Sequence, residues 1–178
     1  CFFATLLVRV SAQSLQWQQV APGVWKGIAG QPESYDLLKA SGSGPATEAL
    51  QKMGNSPLPI NRNDITASVV DGKTYLRFPL AEKEQLFGLG LNFQTVHQRG
   101  KILQLHMDHY GGKDNGRTHA PVPFYVSSAG YGVFINSARY ITVYAGTSVR
   151  KDRQHPPVEK NRNEDKSWSS RPYSDAVE

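Results

Sequence analysis

With 178 residues, 39% of them hydrophobic, the chain is the size of one ordinary domain and can supply a core but not a membrane span. Its formal charge of +5 comes from Lys and Arg scattered among Asp and Glu, which excludes a basic stripe and reads as solvated surface rather than a nucleic-acid footprint.

The chain opens on the apolar run CFFATLLV, then Val10-Ser11-Ala12, small residues of the kind a signal peptidase reads. Residues 1–12 are therefore expected to be the back half of a secretory signal, and the protein to be secreted or periplasmic. The competing reading is a buried first strand, because eight apolar residues suit a strand too. Cleavage after Ala12 would remove Cys1, the single cysteine, and leave neither a disulfide nor a thiolate nucleophile.

Pro22-Gly23 predicts a turn into a short strand around Val24–Lys26. Pro45 at a first helical position, good helix formers over Ala46–Met53 and a stop at Gly54 predict at most two turns of helix. Over residues 64–80, Ile65, Ala67 and Val69 alternate with polar residues, Asp71-Gly72 interrupts, and Leu76, Phe78 and Leu80 resume the alternation. Asp-Gly tolerates the positive φ of a tight turn, so this is a β-hairpin, with Pro79 marking an edge or the end of its second strand.

Lys101–Asp108 sets Leu103, Leu105 and Met107 against Gln104, His106 and Asp108 on opposite faces. Phe124–Ser127 is a strand, Ala129-Gly130 a turn, and YGVFINS a strand apolar on both faces, as expected in the middle of a packed sandwich. Arg139–Ala145 gives a last strand. At least six closely spaced strands and one weak helix predict an all-β fold, an antiparallel β-sandwich over residues 13–146. Residues 147–178, with seven basic and six acidic side chains and three prolines, lack aliphatic pattern and read as a polar tail, linker or unfinished loop.

Four histidines, His97, His106, His109 and His119, raise a metal hypothesis, but His106 and His109 fall on opposite faces of the expected strand, so no metal site is assigned. Gly88-Leu89-Gly90 and Gly111-Gly112-Lys113 lack a full phosphate-loop fingerprint and read as turns, so no cofactor is assigned. There is no Gly-x-Ser-x-Gly elbow. Asp108 and Asp114 lie in or beside one glycine-rich loop with nothing evident to fix their separation, so no catalytic residue is assigned either. That loop nevertheless gathers Asp108, His109, Tyr110, Lys113, Asp114, Asn115 and Arg117. Carboxylates, amides and a guanidinium hydrogen-bond sugar hydroxyls, and Tyr110, Phe124 or Tyr125 can cover an apolar sugar face.

Glu84-Gln85-Leu86-Phe87-Gly88-Leu89-Gly90 resembles the E-x-x-Y/F-G-L-G-E signature of glycoside hydrolase family 31, the α-glucosidases, α-xylosidases and relatives. Pro123-Phe124-Tyr125-Val126, followed by Gly130-Tyr131-Gly132-Val133-Phe134-Ile135-Asn136-Ser137, resembles that family's P-F-Y … G-Y-G-V-F-x-N-S strand pair. The resemblance covers about residues 64–146. It implies an N-terminal galactose-mutarotase-like sandwich, incomplete at its C-terminal end, whose partner is a downstream (β/α)8 barrel carrying the catalytic aspartates. On that reading this stretch alone is inactive and offers Asp108, Tyr110, Asp114 and Arg117 to a carbohydrate substrate. Leu91 departs from the signature, which has Glu there. The alternatives are a free-standing carbohydrate-binding or mutarotase-like module and a plain protein-interaction sandwich.

Overall fold

The computed structural model describes residues 10–42, 48, 57–70, 72–91, 95–107, 117–147 and 173–178. Twelve strands are defined among them: β1 Val10–Gln13, β2 Gln16–Ala21, β3 Val24–Ile28, β4 Thr66–Val70, β5 Lys73–Pro79, β6 Leu86–Gly88, β7 Lys101–Met107, β8 Arg117–Thr118, β9 Phe124–Ser127, β10 Tyr131–Phe134, β11 Ile141–Thr147 and β12 Tyr173–Val177. They form a seven-stranded sheet ordered β1-β4-β5-β12-β11-β7-β8, a three-stranded sheet ordered β10-β9-β6, and the β2-β3 hairpin. Every pairing is antiparallel except β7 with β8, which is parallel. The all-β sandwich is thus the observed fold.

The core lies between the large and small sheets. Ile65, Phe78, Leu80, Leu103, Leu105, Val143, Ala145 and Val177 come from the large sheet and its flanks, and Leu86, Tyr125 and Tyr131 from the small one. Phe78 meets Tyr125 edge-on across the gap, with ring centroids 6.3 Å apart, in the arrangement that sets a positive ring edge against a negative face. The β2-β3 hairpin adds Leu15 and Trp17 at the periphery. Gly27 makes room for the Trp17 ring, and the Arg62 guanidinium sits 3.5 Å from the Trp25 ring centroid, a cation–π contact.

The hairpin expected over 64–80 is β4-β5, with Val70 opposite Lys73 and Gly72 at φ 74. Pro79 ends β5 as expected, but β5 is not an edge strand, since Ala176 of β12 pairs with Pro79. This changes the account of the polar C-terminal stretch. Its last residues return as β12 between β5 and β11, with Ala176 and Val177 fully buried. Two buried residues are too few to create a period-2 pattern, and so the strand was not legible.

Val10–Gln13, straddling the expected leader boundary, pair with β4 as β1. The helix expected over 46–53 falls mostly outside the described residues, though Glu48 is helical. A different one-turn helix, α1 Leu37–Ala40, is capped by Asp36, whose carboxylate accepts from the Leu38 and Lys39 amides. The YGVFINS run is not packed on both faces: Tyr131 is buried but Phe134 is exposed, and β10 is the edge strand of the small sheet.

Candidate functional site: a buried carboxylate hub and the loop it supports

The small sheet is tied together by one side chain. Glu84 is 6% exposed and precedes β6. Its Oε1 accepts from the Tyr131 hydroxyl at 2.7 Å and from the Ser127 hydroxyl, and its Oε2 accepts from the Ala81 amide at 2.7 Å. Arg99, also buried, donates to the Ala81 and Glu84 carbonyls at 2.7 and 2.6 Å, closing the 81–84 turn from below. One carboxylate thereby satisfies donors from the turn, β9 and β10, which removes the penalty of burying them unpaired. Ser127 Oγ also accepts from the Ala129 amide, and Ser128 and Gln85 exchange two further bonds of 2.9 Å, so the β9-β10 turn is locked to the start of β6.

Around the hub, burial pushes the Tyr125 and Tyr131 phenols far above their ordinary value of 10.0. The Tyr131 hydroxyl and the Glu84 carboxylate add to this at Tyr125, and the hydrogen bond to Glu84 adds to it at Tyr131. The Tyr125 hydroxyl has no hydrogen-bond partner among the described residues. Burial, followed by the charges of Arg99 and Lys101, holds His97 below the usual imidazole range, where it lies edge-on to Phe87. Its environment therefore favours the neutral ring.

At the end of β6 the chain turns. Gly88, Leu89 and Gly90 all have positive φ, at 108°, 65° and 96°. A Cβ on Gly88 would lie 2.7 Å from the Phe124 carbonyl oxygen, and one on Gly90 would lie 2.3 Å from that of Ala120. Only glycine permits both the backbone conformation and the approach. The turn holds the start of β9 and the segment before it by backbone bonds: Leu89 N–H to the Phe124 carbonyl at 2.8 Å and Leu91 N–H to the Ala120 carbonyl at 3.2 Å. Leu91 in turn accepts from the His119 amide and, at 2.5 Å, from the Thr118 hydroxyl. Leu91 makes these contacts with its main chain while its side chain is exposed, so the departure from the signature at this position leaves the anchor intact.

The loop singled out from the sequence joins β7 to this anchored segment. It leaves the end of β7 at Met107 and returns as β8, where Arg117 stands opposite Gln104 and Thr118 opposite Met107. Asp108, Tyr110 and Asp114 lie outside the described residues, and of Arg117 only the strand position is described. The sequence reading missed the hub, although its signal was present in the glutamate that opens the E-x-x-F-G-L-G run. A second anchored segment lies at the other end of the β10 strand. Asn136 donates to Asp36 at 3.0 Å and accepts from the Leu37 amide, and Arg139 pairs with Glu33 at 2.6 Å.

Comparison with known proteins agrees with this reading of the signature. The sequence profile of the glycosyl hydrolase 31 N-terminal galactose mutarotase-like domain matches residues 29–143, well over half of the chain. The chain is 31% identical to an isomaltosyltransferase of Sporosarcina globispora over 45% of its own length. It is 35% identical to an alpha-xylosidase of Emericella nidulans and 30% identical to the alpha-xylosidase XylQ of Lactiplantibacillus pentosus, each over 36% of its length. In each case the match spans 8% of the relative. The chain belongs to the glycosyl hydrolase 31 N-terminal galactose mutarotase-like domain family.

Proposed function

We propose that these residues are the non-catalytic N-terminal sandwich of a retaining α-glycosidase, one that supports a (β/α)8 barrel outside the 178 residues and offers the 108–117 loop to that barrel's substrate pocket. The observation that carries this reading is the complete use of Glu84. The signature carboxylate is buried and committed to Ser127, Tyr131 and the Ala81 amide, an arrangement suited to scaffold and closed to substrate. The substrate class follows the relatives' names, α-glycosides built on isomaltosyl or α-xylosyl units. The leader-like start supports export from the cytoplasm, which N-terminal sequencing of the secreted product would test.

The reading is tested with the chain itself. It should not hydrolyse p-nitrophenyl α-xyloside or α-glucoside, and NMR titration with isomaltose or methyl α-xyloside should shift amides in 108–117 without saturating, since the barrel completes the pocket; saturable binding weakened by Tyr110→Ala or Asp114→Ala would favour a free-standing carbohydrate-binding module. Turnover by the purified chain would sink the non-catalytic assignment. Tight association with another polypeptide and no response to either sugar would favour a plain interaction sandwich.

A further inference from the structure

We infer that Tyr140, stacked on His106, is a second carbohydrate contact, an aromatic platform for the apolar face of a pyranose ring on the outer face of the large sheet, at the end of β7. The inference rests on the carbohydrate reading above but uses different residues. The Tyr140 ring is 80% exposed, and its centroid lies 4.2 Å from that of His106 with the planes tilted by 40°. One side of the tyrosine is thus backed by the imidazole while the other is open. A single exposed apolar side chain is ordinary. One whose orientation is held by a second ring presents a pre-set surface and loses less freedom when a ligand covers it.

The backbone is held on both sides of this ring. Before it, Arg139 Nε pairs with Glu33 at 2.6 Å, and the Arg139 amide donates to Ser137 Oγ at 3.2 Å. After it, Ile141 enters β11 opposite Leu105, which sets Tyr140 across from His106. Alternation places Gln104 and its partner Thr142 on the same face, the first half-buried and the second exposed. An open aromatic face next to an amide and a hydroxyl is the combination a pyranose uses, with its C–H face on the ring and its hydroxyls on the neighbours. Met107, the residue after His106, is the last of β7 before the loop, so both contacts would lie at one end of the sheet.

The test is an amide NMR titration of the whole chain with isomaltotriose and, separately, methyl α-xylopyranoside. Amides of His106, Tyr140, Ile141 and Thr142 should shift and saturate. Tyr140→Ala should weaken that binding about tenfold and His106→Ala about threefold, while Tyr140→Trp should preserve it, in line with the worth of an aromatic contact. Unchanged spectra elsewhere in the sheet would report that each variant is folded. Shifts confined to 108–117, or a Tyr140→Ala variant that titrates like the wild type, would overturn the platform and leave the proposed function standing. Shifts at Tyr140 with none in 108–117 would support the platform and count against the loop. Silence at both would overturn both.

Discussion

The Tyr131 hydroxyl donates to the Glu84 carboxylate at 2.7 Å, joining residues 47 positions apart in the chain, one just before β6 and the other at the start of β10. Ser127 completes the contact from the strand between them. Two family-signature residues, Glu84 and Tyr131, thus form one buried hydrogen-bonded unit with Ser127.

Removing the acceptor should be costly. Glu84→Ala strands the Ser127 and Tyr131 hydroxyls and the Ala81 amide in the interior, and should destabilise the fold by about 3 kcal/mol or more, measured by urea unfolding. Glu84→Gln keeps the size and two acceptor positions and should cost about half as much. Tyr131→Phe should cost about 1–2 kcal/mol in the wild type and clearly less on a Glu84→Gln background, because the two residues share one bond.

The Gly-Leu-Gly turn gives an internally controlled comparison. Gly90→Ala places a Cβ 2.3 Å from the Ala120 carbonyl oxygen at φ 96 and should cost about 3 kcal/mol or more, with the 118–120 amides losing hydrogen-exchange protection. Gly72→Ala, also at positive φ but with nothing within 4 Å of the added Cβ, should cost only about 1 kcal/mol. Equal costs would mean that backbone conformation, not the close approach, limits the turn.

Stability should fall on the alkaline side. The buried Tyr125 and Tyr131 phenols have folded pKa values above their ordinary value of 10.0, so the folded state holds its protons more tightly than the unfolded chain. Their contribution is fully present below about pH 10 and is lost as the pH rises above it. Tyr125→Phe should flatten the decline between about pH 10 and 12 in a chemical-denaturation series.

At the contact of Asp36 with Asn136 the sign is opposite. Asn136, then the Lys39 amide, hold Asp36 below its ordinary value of 3.8, so its contribution is present above that value and lost as pH falls through the depressed one. Asn136→Ala should move the Asp36 titration, followed by carboxyl NMR, upward toward 3.8.

The sequence revealed the fold wherever one face is buried along a whole strand. Leu103 and Leu105 are inward and Met107 is exposed at the strand's end, and the Asp-Gly hairpin holds its register through Val70 and Lys73. It failed where tertiary contact alone decides. Helix α1 has no buried residue, and its capping Asp36 is tied to Asn136, a hundred positions away. The candidate site was legible only in part. The glycines at 88 and 90 read correctly as a turn, but composition could not indicate that the turn grips the return limb of the 108–117 loop through the Leu91 main chain. Nor could it indicate that Tyr140 comes to rest on His106.

Strand β12 has a consequence for the order of events during synthesis. Among the described residues, pairing joins β5 to β11 only through residues 173–177, so β1-β4-β5 and β11-β7-β8 cannot be hydrogen-bonded into one sheet before those residues have been synthesised. Before then the facing edges of β5 and β11 lack the strand that pairs with both, and an unpaired edge is a template for pairing with another chain.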